Sequence, residues 1–252
     1  MTPIWLRTAV DDFWSAAGEI EPFPRRLESA ISWALPLAIL KIPRLCVSDV
    51  KSRLVSIDID FKVSASDRDL HGCLVAFGGR GLVMLDGSDP GDELRFSLAH
   101  EVGHFLIDYQ RPRNRAVRRL GPDIRDVLDG LRRPTKDERI DAVLSDVSIG
   151  VHVHLMDRSA SGSIGCGRIA GSEFHADRLA LELLAPEDEV WRAAQLPADL
   201  AREEMIPATA RTLRDIFGLP GVVAADYARF LATIHSREPS VRAWLGMGEQ
   251  AR

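Results

Sequence analysis

The stretch that decides the fold is residues 96–107, which read Phe96-Ser97-Leu98-Ala99-His100-Glu101-Val102-Gly103-His104-Phe105-Leu106-Ile107. Apolar residues surround its polar triplet of His100, Glu101 and His104, so the triplet is expected to be partly buried. Asp89 and Pro90 upstream predict a helix start, with Asp89 as the N-cap and Pro90 as the first helical residue. The stretch therefore predicts a helix that carries two histidines and a carboxylate into the interior.

The spacing of the two histidines points to a particular chemistry. Residues four apart share a helix face, so His100 and His104 can aim two imidazoles at one point. Glu101 is one residue step round the helix and lies beside that point. This His-Glu-x-x-His pattern is typical of zinc hydrolases, where two neutral imidazoles hold the metal and the carboxylate accepts a proton from the activated water. The alternative is a core helix with two packed histidines.

A second segment, residues 172–186, supplies candidates for the missing metal ligand. It predicts a helix with Ser172 as its N-cap and Pro186 beyond its end, because apolar residues recur at helical spacing at Phe174, Leu181 and Leu184.

Two carboxylates lie four apart on this second helix, Glu173 and Asp177. A catalytic zinc site keeps three protein ligands and one open position, so Glu173 is the candidate third ligand. Asp177 would accept the free ring N–H of a ligating histidine, His100 being the first choice. The alternative is a pair of solvated carboxylates.

Both segments resemble motifs of the ImmA/IrrE family of metallopeptidases. Arg95 to His104 is similar to the family signature R-F-[ST]-L-A-H-E-[LIV]-G-H, and Glu173 to Pro186 resembles its E-x-x-A-[ND]-x-F-A-x-x-L-L-x-P element. The likeness extends from about Leu82 to Pro186. Three departures stand out: Leu179 replaces the usual Phe, Ala185 replaces a common Met, and the stretch between the two motifs is longer than usual.

The resemblance implies a fold, a metal and an activity. It implies a gluzincin-type site with one zinc per chain, held by His100, His104 and Glu173, with Glu101 as the catalytic base. It also implies intracellular proteolysis, typically of a helix-turn-helix repressor whose cleavage releases a stress or mobile-element response and so regulates transcription. The predicted fold is α+β: a zincin-like metallopeptidase domain with a small β-sheet, the His-Glu-x-x-His helix, and additional N- and C-terminal helices.

Four further residues are candidates for contacts with substrate. His152 and His154 share one face of a predicted strand, 149–155, and are alternative metal ligands, substrate contacts or donors to an oxyanion. The alternative is that both are exposed strand residues. Tyr109 and Tyr227, the chain's two tyrosines, are candidate oxyanion donors that nothing in the sequence positions.

Composition excludes several classes of protein. The chain has 252 residues, is 46% hydrophobic and has a net charge of −5, so no basic field indicates nucleic acid as the main partner. Its three cysteines lack C-x-x-C spacing, which argues against a disulfide framework or thiolate zinc site and favours a reducing cytoplasm. No signal-peptide core or bilayer-spanning stretch is evident, so we expect a cytoplasmic protein without membrane association.

The chain is predicted to comprise three regions. Residues 1–47 form a helical segment with an apolar stripe through Leu27, Ile31, Ala34 and Leu37. Residues 48–186 form the metallopeptidase domain, with an insertion at 110–171. Residues 187–252 form a C-terminal helical region.

Within the metallopeptidase domain several local structures are predicted. Alternating apolar residues predict a strand at 55–63, and Gly78 to Gly81 predict the turn of a hairpin between 73–77 and 82–85. One hairpin strand is a candidate edge for β-addition of a peptide. In the insertion, the arginine run at 111–119 predicts a solvated loop or a dock for an acidic partner surface or a DNA-bound repressor. Thr135 and Glu138 predict a capping box, and 159–171 a flexible loop.

The C-terminal region predicts two helices within 208–231, joined at Gly218-Leu219-Pro220-Gly221. This pattern is compatible with a helix-turn-helix, but the candidate recognition residues Ala224, Ala225, Asp226 and Arg229 offer few base-reading groups. We therefore favour a packing or partner-binding hairpin and do not expect direct nucleic-acid binding. A metal-bound module without catalysis and a DNA-binding regulator acting through this hairpin are the two alternatives to a peptidase.

Overall fold

The computed structural model describes residues 3–18, 20–59, 65–144, 147–157, 167–197 and 200–235. It divides the chain between Pro186 and Glu187 into two compact units. Among these described residues, no helix combines the length and the apolar character needed to cross a bilayer.

The first unit, Thr2–Pro186, mixes helices with one small sheet, as the α+β prediction requires. Its helices are α1 (Ile4–Ala17), α2 (Leu27–Ala34), α3 (Val47–Ser56), α4 (Gly91–His104), α5 (Arg111–Leu120), α6 (Arg125–Leu128), α7 (Lys136–Leu144) and α8 (Gly167–Leu184). A π-helical turn, Phe105–Gln110, joins α4 to α5, and a 3₁₀ turn, Pro122–Ile124, precedes α6. Its strands are β1 (Leu37–Ile42), β2 (Leu70–Phe77), β3 (Arg80–Asp86) and β4 (His152–Asp157).

The four strands form a mixed sheet in the order β1-β3-β2-β4. β2 and β3 are the predicted hairpin, and Gly78 and Gly79 at its turn adopt φ values of 54° and 76°, which glycine tolerates best. The prediction that a hairpin strand forms the sheet edge is wrong. β1 pairs parallel with β3 and β4 pairs antiparallel with β2, so the described edges are β1 and β4.

Two predictions in the first 60 residues are wrong. Leu37 does not continue a helical stripe, because α2 ends at Ala34 and Leu37 opens β1. Residues 55–56 end helix α3 rather than open a strand, and 60–63 lie outside the described residues. The backbone N–H of Cys46 donates to Asp49 Oδ2 at 2.9 Å, which caps α3.

The insertion is more regular than its sequence predicts. The arginine run forms α5 rather than a loop, and Ala116 on its inner face packs into a small core with Ile124, Val127 and Leu128. The predicted capping box is confirmed: Thr135 N–H donates to Glu138 Oε2 at 2.8 Å, and Glu138 N–H to Thr135 Oγ1 at 3.3 Å.

Three predicted boundaries in this unit shift. The N-cap of α4 is Pro90, one residue after the predicted Asp89. Helix α8 begins at Gly167, so Ser172 lies inside it and is not its N-cap. The predicted flexible loop is therefore helical from Gly167 onward, and its residues 159–166 lie outside the described residues.

The second unit, Glu187–Arg252, contains three described helices: α9 (Glu187–Ala194), α10 (Arg202–Asp215) and α11 (Gly221–His235). The predicted break between two helices at residues 218–221 is confirmed. Ala224 is fully buried, and Asp226 and Arg229 form an ion pair with each other. These residues therefore serve packing and local pairing within this unit.

Candidate metal centre

Close packing of α4 against α8 creates the site. Gly103 on α4 faces Ala176 on α8 so closely that a Cβ at Gly103 would lie 2.9 Å from the Cα and carbonyl oxygen of Ala176. Only glycine permits this approach without displacing backbone. Because Gly103 lies between the two histidines of α4, the approach brings Glu173 and Asp177 of α8 to the face that carries them.

Four side chains converge on this face of α4. Their ligand atoms all lie within 4.8 Å of one another, and among the described residues they form the group able to hold a metal: His100, His104, His154 and Glu173. Nε2 of His100 lies 3.0 Å from Nε2 of His104. Oε2 of Glu173 lies 3.4 Å from His100 Nε2 and 3.7 Å from His104 Nε2. Nε2 of His154 lies 3.0 Å from Glu173 Oε1.

Each α4 histidine also contacts a carboxylate through its second ring nitrogen, Nδ1. Nδ1 of His100 lies 2.8 Å from Asp177 Oδ1, which is the pairing that the sequence predicts. Nδ1 of His104 lies 2.6 Å from Asp108 Oδ2, and Ser172 Oγ donates to the same oxygen at 2.6 Å. An Nδ1–H donated to a carboxylate leaves the Nε2 lone pair free, so both rings present a ligand atom to the shared point.

The Asp108 contact is a part of the site that our sequence analysis missed. Asp108 lies in the π-helical turn that follows α4, and its spacing from His104 is four residues. That spacing was a usable signal, since residues four apart on a helix meet. π-helical turns are rare and concentrate at functional sites.

Glu101 is fully buried beside the four-residue group. Its two carboxylate oxygens lie 3.0 Å and 3.2 Å from Nδ1 of His154. A Cβ at Gly72 on β2 would lie 3.2 Å from Glu101 Oε1, so the glycine leaves room for this carboxylate. Burial alone would raise the pKa of Glu101, but the charges of His154 and His100 and the hydrogen bond from His154 lower it below its ordinary value.

Without metal, two histidines of the group, His100 and His154, have raised pKa values. Burial would lower the pKa of His100, but hydrogen bonds to Asp177 and Glu173 raise it to about 9. Burial would likewise lower the pKa of His154, while the charge of Glu101 and hydrogen bonds to Glu101 and Glu173 raise it to about 10. The pKa of Glu173 is lowered, because hydrogen bonds from the three histidines outweigh its desolvation.

The donor set fits zinc. With zinc–nitrogen and zinc–oxygen bonds of about 2.0–2.1 Å, tetrahedral ligand atoms lie about 3.3 Å apart. The separations of 3.0, 3.4 and 3.7 Å among His100, His104 and Glu173 bracket that value. Imidazole nitrogens and a carboxylate oxygen are donors that zinc accepts, as do other divalent transition metals.

Two other candidates of the first unit stand apart from this group, and the third, Tyr227, belongs to the second unit. His152, two residues before His154 on β4, has Nδ1 3.5 Å from Ser148 Oγ, and burial lowers its pKa. The hydroxyl of Tyr109 accepts a hydrogen bond from the Gly79 N–H in the hairpin turn at 2.8 Å. Tyr227 is buried in the second unit. Within the first unit, the structure therefore brings His154 to the ligand atoms but does not bring His152 or Tyr109.

No protein-family model matches the chain, and no curated protein matches it at a significant level.

Proposed function

We propose that this protein is a zinc-dependent endopeptidase of the ImmA/IrrE type with a zincin-like catalytic domain. The observation that carries the proposal is the convergence of His100, His104 and Glu173 beside the fully buried carboxylate of Glu101. Two histidines, one carboxylate ligand and an adjacent unligated carboxylate are the set that metal-assisted peptide hydrolysis requires.

The chain's own residues would divide the chemistry as follows. His100, His104 and Glu173 would hold the metal, while Asp177 and Asp108 keep the two α4 imidazoles in the tautomer that ligation needs. A bound zinc would supply Lewis acidity, which polarises the scissile carbonyl and acidifies water. Glu101 would accept the proton of the attacking water and deliver it to the leaving amine nitrogen. Its lowered pKa keeps it ionised, and so ready to accept that proton, near neutral pH.

His154 has two roles compatible with its position. As a substrate contact, its imidazolium would exchange the Nε2–H hydrogen bond to Glu173 for one to the oxyanion of the tetrahedral intermediate. As a fourth protein ligand, it would close the coordination sphere and make the site structural, since catalytic zinc sites keep one position open. The second role favours a metal-bound module without catalysis. The fully buried, unligated carboxylate of Glu101 favours the first role, because a structural site has no use for a base.

The substrate and compartment follow from the resemblance. We propose a regulatory protein as the substrate, of the helix-turn-helix repressor class, cleaved in a stress response that changes transcription. The thiols of Cys46 and Cys73 are free, which agrees with a reducing compartment such as the cytoplasm. The extended peptide would lie along β4, the described sheet edge that carries His152 and His154.

A peptide-library digestion tests the activity without knowledge of the substrate. Zinc-loaded wild type and Glu101→Gln are each incubated with a proteome-derived peptide library, and new peptide termini are counted by mass spectrometry. Because glutamine keeps the shape but cannot accept the proton, we expect the variant to retain zinc and to cleave about 10²–10⁴-fold more slowly. Equal cleavage by both proteins, or none by the zinc-loaded wild type, would contradict the proposal.

A further inference from the structure

A cavity of about 520 Å³ lies between α1, the end of α2 and the segment that follows α4. None of the four candidate ligands lines it. Its apolar wall includes Trp5, Leu35, Leu106 and Ile107, all only half-buried in the folded protein. The volume lies within the range of small-molecule sites, about 300–1,000 Å³.

One side of this cavity is basic. Arg111, Asn114 and Arg118 recur at helical spacing on α5 and line it together. Asp12 is the single carboxylate among the lining residues. The Arg111 guanidinium also lies 5.3 Å from the centre of the Trp5 ring. The cavity thus offers an apolar wall beside two guanidinium groups, which are the preferred donors to carboxylate, phosphate and sulfonate oxygens.

We infer that this cavity binds a small amphiphilic anion, with its apolar body against Trp5 and Leu106 and its anionic head at Arg111 and Arg118. A purely apolar ligand would gain nothing from the two exposed guanidinium groups, whereas an anionic head would pair with them. A purely polar anion would leave the apolar wall facing water. The combination of both surfaces in one cavity selects a ligand that has both parts.

The same cavity borders a segment that positions a residue of the metal centre. Leu106, Ile107 and Gln110 line the cavity and belong to the π-helical turn Phe105–Gln110. That turn carries Asp108, whose carboxylate holds Nδ1 of His104 at 2.6 Å. On another wall, the Trp5 ring packs edge-on against His175 at 5.1 Å, two residues from Glu173. A ligand in the cavity therefore contacts the turn that positions one candidate metal ligand. Given the proposed zinc site, we expect anion binding and zinc binding to be coupled through this turn.

The binding site can be tested with the fluorescent anion 8-anilinonaphthalene-1-sulfonate, titrated into the full-length protein. We expect one bound probe per chain, displaced by decanoate and at least about tenfold less well by decanol, which has the same apolar length but no charge. Arg118→Glu should weaken probe binding by about tenfold or more, and Arg118→Lys by less. Arg115→Glu is the matched control, because Arg115 is exposed on α5 but does not line the cavity. Equal displacement by decanol and decanoate, or equal loss in Arg118→Glu and Arg115→Glu, would overturn the site.

The coupling has its own measurement, the probe's dissociation constant in zinc-loaded and metal-free protein. Linkage is reciprocal, so if a ligand in the cavity changes the affinity for zinc, zinc changes the affinity for the probe by the same factor. At typical coupling energies that factor is about five or more. Equal dissociation constants in the two forms would overturn the coupling. The coupling rests on metal binding, not on peptidase activity. Zinc content is measured on the same samples. A protein that takes up no zinc would contradict the proposed function, and the coupling with it, but not the binding of an anion in the cavity.

Discussion

The Nε2 atoms of His100 and His104 lie 3.0 Å apart, although each ring is separately fixed through Nδ1 by its own carboxylate, Asp177 for His100 and Asp108 for His104. Two imidazole lone pairs this close repel each other unless a proton or a metal ion lies between them. Burial lowers the pKa of His100, but hydrogen bonds to Asp177 and Glu173 raise it to about 9, so its ring carries a second proton at neutral pH when no metal is bound. A divalent cation bound by both Nε2 atoms would take the place of that proton.

The carboxylates behind the two histidines should set metal affinity. Asp108→Asn and Asp177→Asn each replace an anionic acceptor by an amide, so we expect the zinc dissociation constant to rise about 10–100-fold in each variant. The effect should be larger at Asp108, whose side chain is 23% exposed compared with 49% for Asp177. Competition with a chelator measures the constants.

Asp89→Asn is the matched control for this comparison. Asp89 also pairs with a histidine, its Oδ2 lying 2.8 Å from His71 Nδ1, but that histidine is outside the metal group. Equal losses of zinc affinity in Asp89→Asn and Asp108→Asn would contradict a specific role for the site carboxylates.

Substitution of His154 tests whether the metal site is catalytic, with one open coordination position, or structural, with four protein ligands. If His154 contacts substrate, His154→Ala should keep its zinc and lose peptide cleavage by about 10²-fold or more, the cost of one oxyanion donor. Zinc affinity is read by chelator competition and cleavage by the peptide-library assay. A loss of zinc affinity as large as that in His104→Ala would instead assign His154 as a fourth ligand.

Helix packing at Gly103 should be intolerant of any side chain. A methyl group there meets Ala176 backbone at 2.9 Å, so Gly103→Ala should lower the free energy of unfolding by about 1–3 kcal/mol, the usual cost of overpacking. Gly91→Ala is the control, because a Cβ at that position, at the start of the same helix, meets nothing within 4 Å. Urea unfolding of the metal-free proteins measures both, and a Gly103→Ala protein as stable as Gly91→Ala would refute the packing argument.

Zinc binding should release protons, because ligation needs neutral imidazole. At pH 7 the metal-free His100 and His154 are protonated, with pKa values of about 9 and about 10. We expect the release of a proton from His100, and of a second only if His154 is also a ligand. Calorimetric titration of zinc in two buffers of different ionisation enthalpy counts these protons, and zinc uptake without proton release would contradict the protonated cluster.

The same pKa shifts give the metal-free protein a pH-dependent stability. Both folded-state pKa values lie above the ordinary value of 6.5, so the protonated rings stabilise the fold fully below pH 6.5. That stabilisation is lost as the pH rises through about 9 and about 10. The Tm of the metal-free protein should therefore fall from pH 6.5 to pH 10 by more than that of His154→Ala, which lacks one of these rings.

The strongest local patterns predicted their elements well. The His-Glu-x-x-His helix, the glycine-turn hairpin and the Thr135 capping box rest on interactions within a few residues, and each is present in the structure. The predicted strand failed at its start, residues 55–56, because the helical spacing of the preceding residues continues into it. Val47, Val50 and Leu54 at helical spacing are buried, while Val55, the first residue of the alternating pattern, is 78% exposed.

The candidate site was predictable where its contacts follow helical spacing. His100, His104, Glu173 and Asp177 lie on two helices, and their pairing follows once those helices pack together. His154 reaches the site from a sheet edge, through strand pairing with β2, which no local pattern specifies. From the sequence alone, His154 could therefore be a metal ligand, a substrate contact or an oxyanion donor.

Zinc content, measured by plasma mass spectrometry, tests the central claim most directly. Purified wild type, His104→Ala and His71→Ala are each reconstituted with zinc and dialysed. We expect about one zinc per chain in wild type and in His71→Ala, whose histidine pairs with Asp89 outside the group, and a sharp loss in His104→Ala. No zinc in the reconstituted wild type, or equal zinc in His104→Ala and His71→Ala, would contradict the metal centre and the peptidase built on it.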